Sequence, residues 1–181
     1  MWNKFLIALF AVSAMSCEVA FPNGIKVSYS VDNRKVTFDY AVPPSIYSAW
    51  SWVGFGMKRA EDGYSMISGD YVSIIIENGL IEDRTGGVRN GRPKTDDQVG
   101  GSDSLYSKAQ ATGPDGMMHF TWTRDFTTGD SLDLIIVPGN NYFFQWAVGE
   151  VANGVLKHHV DKGFAQIVFG ICDGKSFLEV N

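Results

Sequence analysis

Residues 25–42 have the sequence IKVSYSVDNRKVTFDYAV, and this stretch decides the fold class. Apolar and polar side chains alternate along residues 25–31 and again along residues 35–42, which is the period of a strand with one buried face. The polar triplet Asp32-Asn33-Arg34 between them is typical of a tight turn. The stretch therefore predicts a β-hairpin, which Pro43-Pro44 ends.

The rest of the chain continues as short apolar stretches separated by turn residues. No apolar pattern of helical period lasts for three turns, and 20 glycines interrupt any candidate helix. This spacing predicts an all-β chain, an antiparallel β-sandwich that is immunoglobulin-like in outline. One domain is expected over residues 17–181. Further strands are predicted at residues 50–55, 70–77, 80–84, 105–110, 117–124, 133–137, 142–148, 155–160 and 164–171.

The first sixteen residues have the pattern of a secretory signal peptide. Lys4 precedes an apolar run over residues 5–12, and small residues stand before a cut ahead of Cys17. A lipoprotein site at Cys17 is the competing interpretation. The apolar run is shorter than the roughly 20 residues of a spanning helix. The pattern predicts a secreted, extracellular protein with no membrane span in the mature chain.

Cys17 and Cys172 are the two cysteines of the sequence, one near each end of the mature chain. In an exported protein, two such cysteines are expected to pair as a disulfide. The alternative is a free Cys172 buried in a strand. Neither interpretation gives the cysteines a catalytic role.

Composition and motifs argue against several functions. The net charge of −5, with Lys and Arg scattered along the chain, argues against a nucleic-acid partner. No nucleophile-elbow motif occurs, and no carboxylate pair stands out for glycoside hydrolysis. The chain is therefore expected not to be a stand-alone enzyme. Its many aromatic residues could stack on a sugar or a porphyrin, or could simply fill the core.

Five motifs in order resemble a known family. They are WVGFG at residues 52–56, MISGD at residues 66–70, RDFTTGD at residues 124–130, Trp146-Ala147-x-Gly149, and His158 followed by Lys162-Gly163. In order and spacing they resemble the DOMON domain, which occurs in dopamine-hydroxylase-like proteins and in the cytochrome part of some sugar dehydrogenases. The resemblance covers most of the mature chain, from about Val27 to Ile171.

The resemblance implies a β-sandwich that holds either haem b or a sugar. In the haem-binding branch a Met and a His ligate the iron, and the matching residues are Met66 and His158, with Met57 and His159 as alternatives. This predicts a secreted electron-transfer domain that serves a redox partner protein or a small extracellular reductant. The second hypothesis is a haem-free secreted module that binds carbohydrate or protein.

Other metals have weaker support in the sequence. A Met and a His with open positions could accept copper, although no third ligand is evident. Calcium could be held by Asp96, Asp97 and Asp103. These carboxylates are instead expected on a solvated loop, since the interval 86–101, which carries Asp96 and Asp97, is polar and rich in glycine.

Overall fold

The structure is a computed structural model that describes residues 16–87 and 92–172. Most of the predicted signal peptide, residues 1–15, lies outside the described residues. Within them, the helical segments are a short helix, α1 (Pro44–Tyr47), and two 3₁₀ turns at Ala60–Asp62 and Asp96–Val99. The strands are β1 (Ser16–Ala20), β2 (Lys26–Asp32), β3 (Lys35–Val42), β4 (Trp52–Arg59), β5 (Asp70–Ile75), β6 (Leu80–Thr85), β7 (Lys94–Thr95), β8 (Tyr106–Thr112), β9 (Met118–Asp125), β10 (Asn141–Gly149), β11 (Val151–Ala152), β12 (Val155–Leu156) and β13 (Asp161–Val168).

Two antiparallel sheets pack face to face. One has five strands in the order β1-β2-β3-β9-β8, and the other has six in the order β13-β10-β4-β5-β6-β7. Strands β11 and β12 form a small separate hairpin. The predicted all-β sandwich is thus confirmed. It shares its two-sheet outline with immunoglobulin domains, while those domains have seven to nine strands in a different order. In the part of the chain that the structure describes, no helix has the length and apolar character needed to cross a membrane.

The hairpin predicted from residues 25–42 is present as β2 and β3. Asp32 pairs with Lys35, so Asn33 and Arg34 are the two turn residues. Their φ angles are 46° and 65°, which is the left-handed conformation that a two-residue hairpin turn of type I′ requires at both positions. The turn fixes the register, and the alternation of residues 35–42 then sends one set of side chains inward.

The core between the sheets is largely aromatic. Phe38 of β3 contacts Phe55 of β4 at 5.2 Å between ring centroids and lies 5.5 Å from Trp122 of β9. Phe55 in turn meets Phe144 of β10 edge to face at 5.1 Å. Such pairs add about 0.5–1.5 kcal/mol each to the free energy gained by burial. Core filling, the simpler of the two interpretations of the aromatic residues, therefore accounts for Trp122, Tyr142, Phe144 and Trp146.

Two predicted strands are wrong. Residues 133–137 form no strand. They cross between β9 and β10, and Ile136 fixes the crossing by donating its backbone N–H to Phe126 O (2.9 Å). In the 155–160 stretch, only β12 is extended, and the four residues after it form an irregular segment. Both stretches contain apolar residues, but neither forms a run of backbone hydrogen bonds to a neighbouring strand over its whole length.

Cys17 and Cys172 form the predicted disulfide, with their Cα atoms 5.0 Å apart. Cys17 lies in β1, at the edge of the five-stranded sheet, and Cys172 follows β13, at the edge of the six-stranded sheet. The bridge therefore joins the two sheets along one side of the sandwich. It spans 155 positions of sequence, so it restricts nearly the whole described chain in the unfolded state.

Replacing both cysteines by serine should lower the free energy of unfolding by about 2–4 kcal/mol, because the unfolded chain regains the entropy that the loop removes. Urea unfolding followed by fluorescence measures the change. The wild-type protein unfolded under reducing conditions is the matched control and should lose a similar amount. An unchanged free energy in both cases would show that the bridge does not clamp the sheets.

Candidate functional site

Met66 lies beyond one end of the six-stranded sheet. It belongs to the segment between β4 and β5, past the end of β4 at Arg59. Lys58 Nζ holds this segment in place by donating to Ser65 O (3.1 Å) and Ile67 O (2.6 Å), on either side of Met66. The side chain of Met66 is half-buried.

The two adjacent histidines lie at the other end of the same sheet. The segment that carries them is fixed by the backbone N–H of Val160, which donates to Val148 O (2.8 Å) near the end of β10. Both residues are outside any strand. Their rings are 4.1 Å apart, and His158 Nδ1 donates to the carbonyl oxygen of His159 (2.9 Å).

The structure therefore does not bring Met66 and His158 together. Val148 pairs with Val53 near the start of β4, whereas Met66 is held by Lys58 near its end. Five residues of extended strand separate Val53 from Lys58, a distance of about 17 Å. Two axial ligands must bond to one iron, and side chains held at opposite ends of a sheet cannot do so.

The alternative ligands fit no better. Met57 is buried in the core between the sheets and points away from solvent. It also lies near the Lys58 end of β4, four residues of extended strand, or about 14 Å, from Val53 at the end where His159 is held. In the part of the chain that the structure describes, the predicted methionines and histidines thus lie towards opposite ends of the sheet. Haem binding and its ligands stay a prediction.

The outer face of the six-stranded sheet carries an exposed group of aromatic residues. We call Tyr64, Phe143 and Phe164 the aromatic strip. The ring of Tyr64 stacks on that of Phe164 at 5.3 Å with an angle of 11°, and Phe164 meets Phe143 edge to face at 5.2 Å. Tyr64 is 67% exposed, so one face of its ring is covered by Phe164 and the other faces solvent.

Polar groups beside the aromatic strip are held in fixed positions. Gln145 Nε2 donates to Tyr64 O (2.9 Å), which fixes the exposed tyrosine to β10. Tyr71 Oη donates to Gln145 Oε1 (3.0 Å). Further along the same face, Arg84 donates to Glu82 Oε2 (2.6 Å) and to Ser73 Oγ (2.6 Å).

Glycines of the WVGFG and MISGD motifs make room for Tyr71. A Cβ atom on Gly56 would lie 2.4 Å from the Tyr71 ring, and one on Gly69 would lie 2.6 Å from it. Neither distance is compatible with a side chain at these positions. The ring therefore lies flat against the backbone, and its hydroxyl reaches Gln145. These motif residues shape the outer face of the sheet.

On the inner side, the two sheets are joined by a buried ion pair. Arg124 of β9 donates to Asp70 Oδ2 of β5. The Arg124 side chain is 5% exposed and that of Asp70 is 6% exposed. Arg124 also donates to Leu134 O (2.8 Å), and the N–H of Leu134 donates to Asp70 (2.9 Å). Burial and the neighbouring Asp133 raise the pKa of Asp70, whereas the Arg124 guanidinium lowers it, and the net direction is upward.

Replacing Arg124 with glutamine should destabilise the protein by about 3–5 kcal/mol, because it leaves the buried Asp70 carboxylate without its cation. Chemical unfolding measures the difference. Arg92 is an exposed arginine, and its replacement by glutamine is the matched control, for which a change within about 0.5 kcal/mol is expected. Equal effects of the two substitutions would mean that the buried pair contributes nothing.

His119 belongs to a separate charged group on the five-stranded sheet. Its Nδ1 lies 2.9 Å from Asp39 Oδ1, and its Nε2 lies 3.3 Å from Asp115 Oδ1. Partial burial lowers the pKa of His119, but the two carboxylates outweigh it, and the pKa is raised. His119 is therefore part of an ion-paired cluster on the sheet and is not arranged as a metal ligand.

The raised pKa of His119 predicts a stability that depends on pH. The protonated ring is favoured in the folded state, so its contribution is complete below the unfolded pKa of about 6.5 and is lost as pH rises through the folded pKa. His119→Gln should therefore cost more stability at about pH 5.5 than at about pH 8.5, by up to about 1 kcal/mol. Urea unfolding of both proteins at the two pH values measures this. A cost that is independent of pH would contradict the ion pairing.

Comparisons of the sequence with known protein families and with curated proteins found no match. The resemblance to DOMON domains is therefore still a prediction, based on its motifs. The geometry gives several of those motifs a structural role, since Asp70 and Arg124 pair in the core and Gly56 and Gly69 accommodate Tyr71.

Proposed function

We propose that this chain is a haem-free extracellular binding module, and that the aromatic strip takes a carbohydrate. The observation that carries the proposal is the Tyr64 ring, 67% exposed and held parallel to Phe164. An exposed aromatic ring whose conformation is already fixed loses little entropy when a ligand packs on it. The disulfide is compatible with an extracellular location, where such bonds persist.

Sugar chemistry suits this surface. A pyranose ring has a face of C–H groups that packs on an aromatic ring, and hydroxyl groups around its edge that form hydrogen bonds. The open face of Tyr64 can take the C–H face. The amide of Gln145 is positioned next to it, and Tyr71 Oη lies behind that amide. A few fixed polar groups beside an apolar surface are the usual composition of a small-ligand site.

The size of the strip favours a sugar over a protein partner. A stable protein interface covers about 800 Å² on each side and is anchored by several buried hot-spot residues. The aromatic strip consists of three rings, of which Phe143 and Phe164 are only partly exposed. A contact of this extent suits one or two sugar rings. The expected affinity is weak, near a Kd of about 1 mM, or about 4 kcal/mol of binding free energy.

Substituting Tyr64 by alanine should weaken carbohydrate binding at least about tenfold, the factor that corresponds to a loss of about 1.4 kcal/mol. The ring is exposed, so the stability of the protein should hardly change. A panel of soluble oligosaccharides titrated against the purified chain, followed by NMR shifts of the residues in β10 and β13, measures the affinity. Tyr106→Ala is the matched control, because Tyr106 is 38% exposed on the opposite sheet.

Two results would contradict the proposal. One is equal sugar affinity in the Tyr64→Ala and wild-type proteins. The other is that the wild-type protein binds no sugar but, after reconstitution with haem, shows a haem absorption band that shifts on reduction. The second result would establish haem binding.

A further inference from the structure

Three aspartates from separate segments converge between the sheets. They are Asp70 at the start of β5, Asp83 in β6 and Asp133 in the crossing before β10. One carboxylate oxygen from each lies within 4.8 Å of the others. The charges of Asp133 and Asp70 also act on the carboxylate of Asp96. We call Asp70, Asp83, Asp133 and the neighbouring Asp96 the aspartate cluster.

Asp96 supplies an independent observation. Its side chain is 1% exposed, and both of its carboxylate oxygens are enclosed without a hydrogen-bond partner among the described residues. Burial, then the negative charges of Asp133 and Asp70, raise the pKa of Asp96 to about 7, as expected for a carboxyl group enclosed beside other carboxylates. This corrects the expectation of a solvated loop for Asp96. Asp97, the next residue, is exposed as that expectation requires.

The other members are also incompletely paired. Asp83 Oδ2 accepts the backbone N–H of Ser104 (2.8 Å), while its Oδ1 is buried without a partner in the described ranges. Asp133 Oδ2 is likewise buried without a hydrogen-bond partner among the described residues. Burial, and then the charge of Asp70, raise the pKa of Asp83 to about 8. Carboxylates that are buried together without hydrogen-bond donors are costly unless a cation or protons neutralise them.

The charge of the cluster is not balanced by the side chains around it. Within residues 16–87 and 92–172, Arg124 is the cation that contacts the cluster, through Asp70. The nearby Lys108 is engaged elsewhere, since its Nζ donates to Ile81 O (3.0 Å) and to Asp103. Four carboxylates against one guanidinium leave three excess negative charges when all are ionised.

We propose that the aspartate cluster is a calcium-binding site. All the candidate donors are oxygens, which hard cations prefer, and no His or Cys side chain is part of the cluster that the structure describes. Calcium accepts six to eight oxygens at about 2.3–2.6 Å in irregular geometry, so two of its ligands can be up to about 5 Å apart. One oxygen each from Asp70, Asp83 and Asp133 meets that limit, since these three atoms lie within 4.8 Å of one another. Magnesium needs shorter, strictly octahedral bonds and suits the cluster less.

The ion would connect the paired strands β5 and β6 to the two loop segments beside them. β5, β6, the 3₁₀ turn at Asp96–Val99 and the crossing before β10 each supply one carboxylate. Binding one ion to all four therefore fixes the turn and the crossing onto the six-stranded sheet. This role does not depend on which ligand occupies the aromatic strip, since the strip lies on the outer face of that sheet.

Equilibrium dialysis against radioactive calcium tests the site directly. The purified full mature chain is first stripped with a chelator and then dialysed at calcium concentrations up to about 10 mM, above the dissociation constants of about 0.1–1 mM typical of extracellular calcium modules. One bound ion per chain is expected. No bound calcium over this range would overturn the proposal.

Two neighbouring substitutions locate the ion. Asp96→Asn removes one buried charged ligand, and Asp97→Asn, the matched control, makes the same change on the exposed adjacent side chain. Calcium at about ten times Kd should raise the melting temperature of the wild-type and Asp97→Asn proteins by about 3–6 °C. Asp96→Asn should bind calcium at least about tenfold more weakly than Asp97→Asn.

Without calcium, Asp96→Asn should melt no lower than the wild-type protein, because it removes one of the mutually repelling charges. This readout separates a metal ligand from a residue that merely supports the fold. If Asp96→Asn does not fold, Asp83→Asn and the dialysis of the wild-type chain decide the question. An equal calcium response in Asp96→Asn and Asp97→Asn, or a response to magnesium as large as that to calcium, would overturn the assignment.

Discussion

The buried ion pair between Arg124 and Asp70 is the interaction on which the rest of the structure depends. It joins the five-stranded sheet to the six-stranded sheet inside the sandwich, and both partners also bond to the backbone of Leu134. The crossing before β10 is thereby held against the core. A buried pair gains little over apolar packing, but it does not tolerate the loss of one partner. The residues around it are consequently constrained in charge as well as in shape.

The two faces of the six-stranded sheet are separated in chemistry. Its inner face carries the aromatic core in the middle and the aspartate cluster at one end, whereas its outer face carries the aromatic strip. Tyr71 shows how one strand serves both sides, since Asp70 points inward to Arg124 and the next residue points outward to Gln145. A fixed inner framework is what a binding surface with little induced fit requires.

The sequence predicts the sandwich, the first hairpin and the disulfide, because strand alternation, turn residues and cysteine count are local properties. It does not predict which strands that are distant in the sequence become neighbours. β4 pairs with β10, far along the chain, and this pairing places Met66 and His158 at opposite ends of the sheet. Asp96 was expected on the surface for a related reason. A polar loop has the same composition whether its carboxylates face solvent or the interior. Only the tertiary structure turns Asp96 inward and Asp97 outward. Tyr64, between Gly63 and Ser65, has no periodic pattern that could single it out as an exposed, stacked ring.

The central claim is that the charged end of this sandwich is built around a calcium ion as well as Arg124. A crystal structure of the mature chain grown with calcium, with anomalous data collected at a wavelength where calcium scatters, tests it most directly. The account predicts one anomalous peak bonded to oxygens of the aspartate cluster, Asp96 among them. The absence of an anomalous peak, with Asp96 and Asp83 sharing protons or contacting another side chain, would contradict it.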